Sequence, residues 1–371
     1  MVDLYGQYEK IKDEINDAIQ QVINQSSFIK GNDVKLFEKE LSEYLGCKHV
    51  IACANGTDAL QIAMMALNLK PGDEIITPDF TFISTVEVNA VLGLIPILTD
   101  VDEKTFTLDI NAVRKAVSPK TKAIVPVHLY GQCACMDEIL SIAKENGLYV
   151  IEDTAQAIGA EYTLKSDQIK KASTMGHIGC ISFFPSKNLG CYGDGGAINT
   201  NNDELAETIR CIANHGMKEK YYHETIGVNS RLDTIQAAIL RVKLKYLDKY
   251  NKARQQVADY YDKAFAGISQ IEVPFRNPNS THVFHQYTVK LENGIDRNDF
   301  RNYLNSHGIP SMVYYPVSMH SQKAYTYLNQ KDDEFPVTNN LVNRVISLPM
   351  HTELDEEQLI YITEKIKAYL N

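Results

Sequence analysis

The chain has 371 residues and a mass of 41.8 kDa, enough for one large domain and a smaller one, and its 44% hydrophobic and 23% charged residues exclude disordered and fibrous classes. Thirty-seven Lys and Arg against 47 Asp and Glu leave a net charge of −10 with no concentrated cation stretch, which argues against nucleic acid as a partner. Seven cysteines without a C-x-x-C pair argue against a disulfide framework or structural zinc and read as reduced, mostly buried thiols.

Met1 to Ile15 carries charges at Asp3, Glu9, Lys10, Lys12, Asp13 and Glu14, so it lacks the apolar centre of a signal peptide, and a cytoplasmic location is expected. Leu4, Tyr8, Ile11, Ile15, Ile19 and Val22 recur at steps of three and four, which predicts an opening amphipathic helix, followed by a shorter one over Val34 to Leu45. The run from Val50 to Ala54 then leads through Asn55-Gly56-Thr57-Asp58 into a helix from Thr57 to Leu69. Strands are predicted at Glu74 to Thr77, Ile95 to Leu98, Ala123 to Val127, Leu148 to Ile151 and Cys180 to Phe184, with helices at Asp137 to Asn146 and Asp203 to Ala213. The most apolar stretch, Phe80 to Leu98, holds Glu87, Asn89 and Pro96, so a buried helix and a strand explain it better than a membrane span. Strands alternating with helices give an α/β class: a large, mostly parallel sheet with helices on both faces.

Leu232 to about Phe265 reads as two helices or a long bent one bridging two domains. Beyond it, a strand at His285 to Leu291, a helix near Asp296 to Ser306, a strand at Ser311 to Tyr315 and a helix from Leu354 to Leu370 form a small α+β domain. We divide the chain at 1–250 and 251–371, within a boundary zone near 245 to 265. The segment from Leu164 to Thr174 reads as a solvated loop, with a flap as the other reading.

Glycine is sparse, 20 in all, yet six of the 21 residues from Gly176 to Gly196 are glycine, and Lys187 is the lysine among them. Lys187 follows a predicted strand and would project from its carboxyl end, where open α/β sheets bind ligands; the plain alternative is a solvated loop lysine. Asp153, in Glu152-Asp153-Thr-Ala-Gln156, ends another strand and could equally cap the next helix. The Gly56-Thr57 turn presents free N–H groups and a hydroxyl to an anion, or is ordinary capping. No P-loop and no dinucleotide glycine fingerprint occurs. A phosphate seat, a carboxylate and a lysine at three strand ends are the constellation that pyridoxal phosphate requires. His128, His282 and His285 have no matching ligand set, so no metal is expected.

The strings Asn55-Gly-Thr-Asp-Ala-Leu60, Glu152-Asp-Thr-Ala-Gln156, Ser182-Phe-Phe-Pro-Ser-Lys187, Gly193-Asp-Gly-Gly196 and Gly227-Val-Asn-Ser-Arg-Leu-Asp233 resemble the DegT-type nucleotide-sugar aminotransferases of pyridoxal-phosphate fold type I, the aspartate-aminotransferase-like fold. The resemblance implies that Lys187 is the Schiff-base lysine and proton shuttle, that Asp153 pairs with the pyridine nitrogen, and that Gln156 bonds the ring hydroxyl. It also implies that Gly56, Thr57 and Ser182 hold the phosphate. Phe82 falls where the family stacks an aromatic on the cofactor, its other reading being a core aromatic. Asn229 would reach the phosphate of a neighbouring subunit, which implies a homodimer with shared sites.

L-glutamate would convert pyridoxal to pyridoxamine phosphate, which then aminates a nucleotide-linked keto-sugar. The look is closest to the branch that aminates C3 of UDP-2-acetamido-3-oxo-glucuronate for surface polysaccharides. There Arg231 would clamp the uronate carboxylate, or else cap the adjoining helix. Tyr314 and Tyr315 would meet the substrate, although relatives of that branch show His before Tyr-Pro. The other readings are a C3 or C4 aminotransferase on a dTDP-linked 6-deoxyhexose and, more distantly, a non-catalytic pyridoxal-phosphate-binding regulator.

Overall fold

Period-two alternation along the strands sorts the large core into layers on the two faces of one sheet. In the strand His49–Cys53, Ile51 and Cys53 pack with the helix Gly56–Ala66, while Val50 and Ala52 pack with the helices Asn32–Leu45 and Thr234–Leu244. The strand Ile178–Ser182 divides the same way, with Ile178 and Cys180 on the first face and Ile181 on the second. The computed structural model describes residues 1–370.

The sheet has seven strands in the order 49–53, 196–200, 178–182, 149–153, 121–124, 74–78 and 95–99. All neighbours pair in parallel except Gly196–Thr200, which runs against both its neighbours, so six strands share one direction. Cys53, Pro78, Asp153 and Ser182 therefore end their strands at the same edge of the sheet. This is the edge at which open α/β sheets bind ligands.

A three-stranded antiparallel sheet, Ile271–Glu272, Tyr287–Leu291 and Val345–Leu348, forms the second core with the helices Arg297–Ser306 and Glu356–Leu370. The helix Leu247–Phe265 serves both cores: Leu247 is buried with Phe183 and Leu240, and Val257, Tyr261 and Phe265 are buried with Tyr287 and Leu348.

Several elements differ from the sequence reading. The N-terminal periodicity is broken at Lys10 and Ile11, giving two helices, Leu4–Glu9 and Lys12–Gln25. Leu164 to Thr174 is not simply a loop, because Ile169–Lys171 pairs with Glu161–Thr163 as a hairpin. Ser311 to Tyr315 is not a strand and makes only the single bridge Met312 to Ser347. The helices Ile110–Ala116 and Pro336–Arg344 were not anticipated; the first is capped by Asp109, whose side chain accepts from the Ala112 N–H, and the second starts on Pro336. The seven cysteines form no disulfide, and five of them are buried. Among the described residues no helix is long and apolar enough to cross a membrane.

The Tyr149–Asp153 strand is fixed at its end by Glu152, which is fully buried. Its carboxylate accepts from the backbone N–H of Ser173 at 2.9 Å, Met175 at 2.7 Å and Gly176 at 2.5 Å, and from His128 Nε2 at 2.8 Å. His128 Nδ1 accepts from the Ala134 N–H at 3.1 Å, which leaves Nε2 as the protonated nitrogen. One side chain thus ties two loops, 172–177 and the one carrying His128, to the strand, and removing it orphans four donors. Glu152→Ala should lower stability by roughly 3–5 kcal/mol, read by urea unfolding followed by far-ultraviolet circular dichroism; a loss below about 1 kcal/mol would show that the donors find other partners.

Candidate active site

Four strand ends meet at one edge, and the loops leaving them carry the polar groups. After His49–Cys53 the chain turns through Asn55, whose side chain caps the next helix by accepting from the Asp58 N–H at 2.8 Å. The N–H groups of Gly56 and Thr57 are left unpaired at the helix start, facing a site for an anion. Glycine is required here. A Cβ on Gly56 would fall 2.7 Å from the Cβ of Ser182, and one on Gly196 only 2.4 Å from the Asn55 carbonyl group. That close approach brings the Ser182 hydroxyl beside the helix start, and Thr57 Oγ1 lies 2.7 Å from Ser84 Oγ.

Asp153 lies on the opposite side of its strand from Glu152. Its Oδ2 accepts from the Thr85 hydroxyl at 2.7 Å and its Oδ1 from the Ala155 N–H at 3.1 Å. It is therefore not the cap of a following helix. Thr85, on the helix Ser84–Val91, went unnoticed in the sequence, although its place beside Phe82 in one short string was a signal.

Gln156 Oε1 accepts from the Tyr130 N–H at 2.8 Å, which turns Nε2 to donate to the Tyr315 hydroxyl at 3.0 Å. Phe82 is 53% exposed, which removes the core-aromatic reading, and its ring lies 6.3 Å from that of Tyr315. An exposed aromatic between a buried carboxylate and a phosphate-type turn fits a planar ring as its missing neighbour.

Lys187 ends the turn after Phe184, its N–H bonded to the Phe184 carbonyl at 2.8 Å. Burial pulls its amine down to about 8, against the opposing pull of Asp153. It is not a freely solvated loop lysine. His285, considered in the sequence only as a metal ligand, is buried nearby. Burial, then the charges of Lys187 and Arg254, push its imidazole well below the ordinary value and keep it neutral. Tyr314 turns toward Gln286, the neighbour of His285, while burial raises the phenol of Tyr314. Among the described residues no group of three His, Cys, Asp or Glu is arranged to hold a metal ion.

Asn229 and Arg231 are not brought into this cluster. Between them Ser230 is buried, its Oγ accepting from the Ala54 N–H at 3.0 Å, so in this extended segment its two neighbours face the other way. Asn229 is exposed, and Arg231 lines a separate cavity of about 540 Å³ with Lys30, Lys35, Arg210, Glu38 and Glu207. Arg210 is paired with Glu38 at 2.9 Å, but Arg231 has no ion-pair or hydrogen-bond partner among the described residues.

A model of the DegT/DnrJ/EryC1/StrS aminotransferase family matches residues 9–367. Over 354 residues the chain is 46% identical to the UDP-2-acetamido-2-deoxy-3-oxo-D-glucuronate aminotransferase of Pseudomonas aeruginosa, covering 95% of each chain. It is 45% identical over 371 residues to a pleiotropic regulatory protein of Geobacillus stearothermophilus, covering 100% of this chain and 98% of that one. Among solved structures, DesV from S. venezuelae in complex with a ketimine intermediate has a TM-score of 0.94 at 36% identity, covering 100% of this chain and 98% of that one.

A lysine neutral in half the molecules at about pH 8 reacts where ordinary lysines stay protonated. Brief labelling with an amine-selective reagent, read by peptide mass spectrometry, should modify Lys187 with a midpoint near pH 8. Phe82→Asp, adding a second carboxylate to the site, should move that midpoint upward. An unmoved wild-type midpoint near the usual lysine value of about 10.4 would contradict the desolvated site.

Proposed function

The chain belongs to the DegT/DnrJ/EryC1/StrS aminotransferase family and is a pyridoxal-phosphate-dependent sugar aminotransferase; from that premise we propose that it aminates C3 of UDP-2-acetamido-3-oxo-glucuronate. L-glutamate is the amino donor, the product serves surface polysaccharide synthesis, and the enzyme works in the cytoplasm as a homodimer with shared sites. The residues fit the coenzyme. The Gly56 and Thr57 N–H groups and the Ser182 hydroxyl would hold its phosphate, Phe82 its ring face, Asp153 its ring nitrogen and Gln156 its ring hydroxyl. When bound, the coenzyme supplies an electron sink for charge left on a substrate carbon.

The chain's own contribution is positioning and proton transfer. Thr85 and the Ala155 N–H hold both oxygens of Asp153, so the carboxylate is oriented before any ligand arrives. Lys187, neutral in an appreciable fraction at neutral pH, would accept a proton from the amine-bearing substrate carbon and deliver it to C4′ of the coenzyme across the nitrogen that joins them. Tyr315 is held through Gln156 beside the ring of Phe82, which fixes its hydroxyl in the site.

The observation that carries the choice of sugar is the unpaired Arg231 guanidinium in a chain 46% identical to a uronate aminotransferase. A planar fork with no internal partner suits a carboxylate from outside. Because Ser230 turns Asn229 and Arg231 away from their own chain's Lys187, both would serve the neighbouring subunit. Exposed Phe28, Ile29 and Ile226 on the flanking segments support that surface as the subunit contact. The second reading is a dTDP-linked 6-deoxyhexose, which needs no carboxylate clamp; Tyr314 before Tyr315-Pro316, where relatives of the uronate branch show His, is the departure that keeps it open. A regulator without turnover is disfavoured by the complete Lys187, Asp153 and phosphate-seat set.

Purified wild type should show a visible band near roughly 410 nm that moves to about 330 nm on adding L-glutamate, and Lys187→Ala should not. Absence of the band even with added pyridoxal phosphate would refute the enzyme reading. Arg231→Ala should raise KM for the uronate roughly 10- to 100-fold, and an unchanged KM would move the choice to the deoxyhexose. Co-expressed Lys187→Ala and Arg231→Ala chains should recover about one quarter of wild-type activity through hybrid dimers, whereas sites confined to one chain would recover none.

A further inference from the structure

His320 is buried at the far side of the site from Lys187, with its side chain only 1% exposed. Its backbone N–H donates to Asp79 Oδ1 at 2.7 Å and its Nδ1 lies 2.6 Å from Asp79 Oδ2. Its Nε2 lies 3.1 Å from Asp332 Oδ1, and its ring stacks on Phe335 at 4.4 Å and 11°. Asp332, 87% exposed at its side chain, is the acceptor at that nitrogen. Asp79, buried, spends both oxygens as acceptors from His320. A carboxylate at each ring nitrogen requires a hydrogen on each, which makes the ring an imidazolium.

The two ends of this triad lie on different bodies. Asp79 directly follows the Glu74–Pro78 strand and begins the string Asp79-Phe-Thr-Phe82-Ile-Ser-Thr85. His320 and Asp332 belong to an arm that runs from Met319 to Phe335. Met319, Tyr325 and Phe335 of the arm are buried against Val86 and Leu98, with Ile83 and Leu328 packed beside them. The Met319 N–H donates to the Asp79 carbonyl at 3.0 Å, and Gln330 Nε2 to the Leu98 carbonyl at 3.2 Å. Beyond the arm, Asp100 accepts from the N–H groups of Val337 and Thr338. The arm thus covers the segment carrying Phe82, the exposed ring neighbour, and Thr85, the donor to Asp153.

We propose that the Asp79–His320–Asp332 triad is a protonated latch that fastens this arm over residues 80–87, making His320 a positioning residue that acts on the site through Phe82 and Thr85. That they serve a coenzyme rests on the function proposed above; the latch itself does not. Burial alone would lower the imidazole, but the carboxylates of Asp79 and Asp332 outweigh it and hold it above its usual value. The other charged groups on the packed elements are Asp100, which faces Asp79, and Glu87, which faces Tyr325, and on the arm itself Lys323, Lys331, Asp333 and Glu334; four acidic groups against two lysines favour the protonated ring. A group raised on folding contributes its full stabilisation below its unfolded value of about 6.5 and loses it as pH rises through the higher folded value. The latch is closed at low pH and opens on the alkaline side.

The test is amide hydrogen exchange of the full-length, coenzyme-free protein, read as protection factors from about pH 6 to about pH 9, followed by the circular dichroism of bound pyridoxal phosphate. In the wild type, protection of 319–335 and of 80–87 should fall severalfold together as pH rises. In His320→Asn it should be low throughout with no step, and the coenzyme dichroism should weaken at every pH. Asp332→Ala, at an exposed position, should keep the step but move it to lower pH, and this variant decides the matter if His320→Asn does not fold. A step that persists in His320→Asn, a step unmoved in Asp332→Ala, or a step confined to 319–335 with 80–87 and the dichroism unchanged would each overturn the proposal. A wild type that shows the exchange step but never binds pyridoxal phosphate would refute the enzyme reading and leave the latch standing.

Discussion

Two carboxylates one peptide apart end the Tyr149–Asp153 strand, and the pleat sends them to opposite sides. Glu152 faces inward, where four donors satisfy it and two loops are bound to it. Asp153 faces the cleft, where Thr85 and Ala155 fix it and Lys187 feels its charge. A buried carboxylate is costly unless its acceptors are filled, so neither residue tolerates a shift of register. A slip of one residue would exchange their roles and leave both unsatisfied. The rigidity of the inner carboxylate is therefore what gives the outer one a defined position.

The parallel sheet carries that position outward. Six strands share a direction, so loops distant in sequence open at one edge, and the lone opposed strand, Gly196–Thr200, lies between the two strands that form the phosphate-type turn. Its Gly196 has no side chain to hold the Asn55 turn away, and Gly56 closes on Ser182 for the same reason. Strand order supplies the place, and two missing side chains supply the approach.

What was legible in the sequence followed from short-range pattern. The β-branched runs gave the parallel strands, and the lysine among clustered glycines gave Lys187 its place at a strand end. The five strings gave the family and with it the roles assigned to Gln156 and Asn229. What was not legible depends on long-range partners. Gly196–Thr200 lacks a strand-like flank because its glycines serve the turn beside it. The helix Pro336–Arg344 shows little propensity and is held by Asp100, more than two hundred residues earlier. Thr85 and His320 look like ordinary surface residues until the fold sets them against Asp153 and Asp79. Phe82 was readable as either core or ligand contact, and its 53% exposure removes the core reading.

The electrostatic state of the cleft follows from which groups surround Lys187 rather than from any single partner. Asp153 alone would hold the amine protonated, and burial alone would discharge it; the outcome near 8 means that burial wins by a margin small enough for both forms to be populated. His285 contributes by staying neutral: a charged imidazole there would add a third cation beside Lys187 and Arg254, where Asp153 already offsets Lys187, so its own burial excludes it from competing for the proton. A proton taken up on this side of the cleft therefore goes to Lys187, while His320 holds its own proton between two carboxylates on the other side until the pH rises through its raised value. The separation of the amine from the imidazolium is set by the ends of the strands at Asp153 and just before Asp79, and so by the order of the sheet itself.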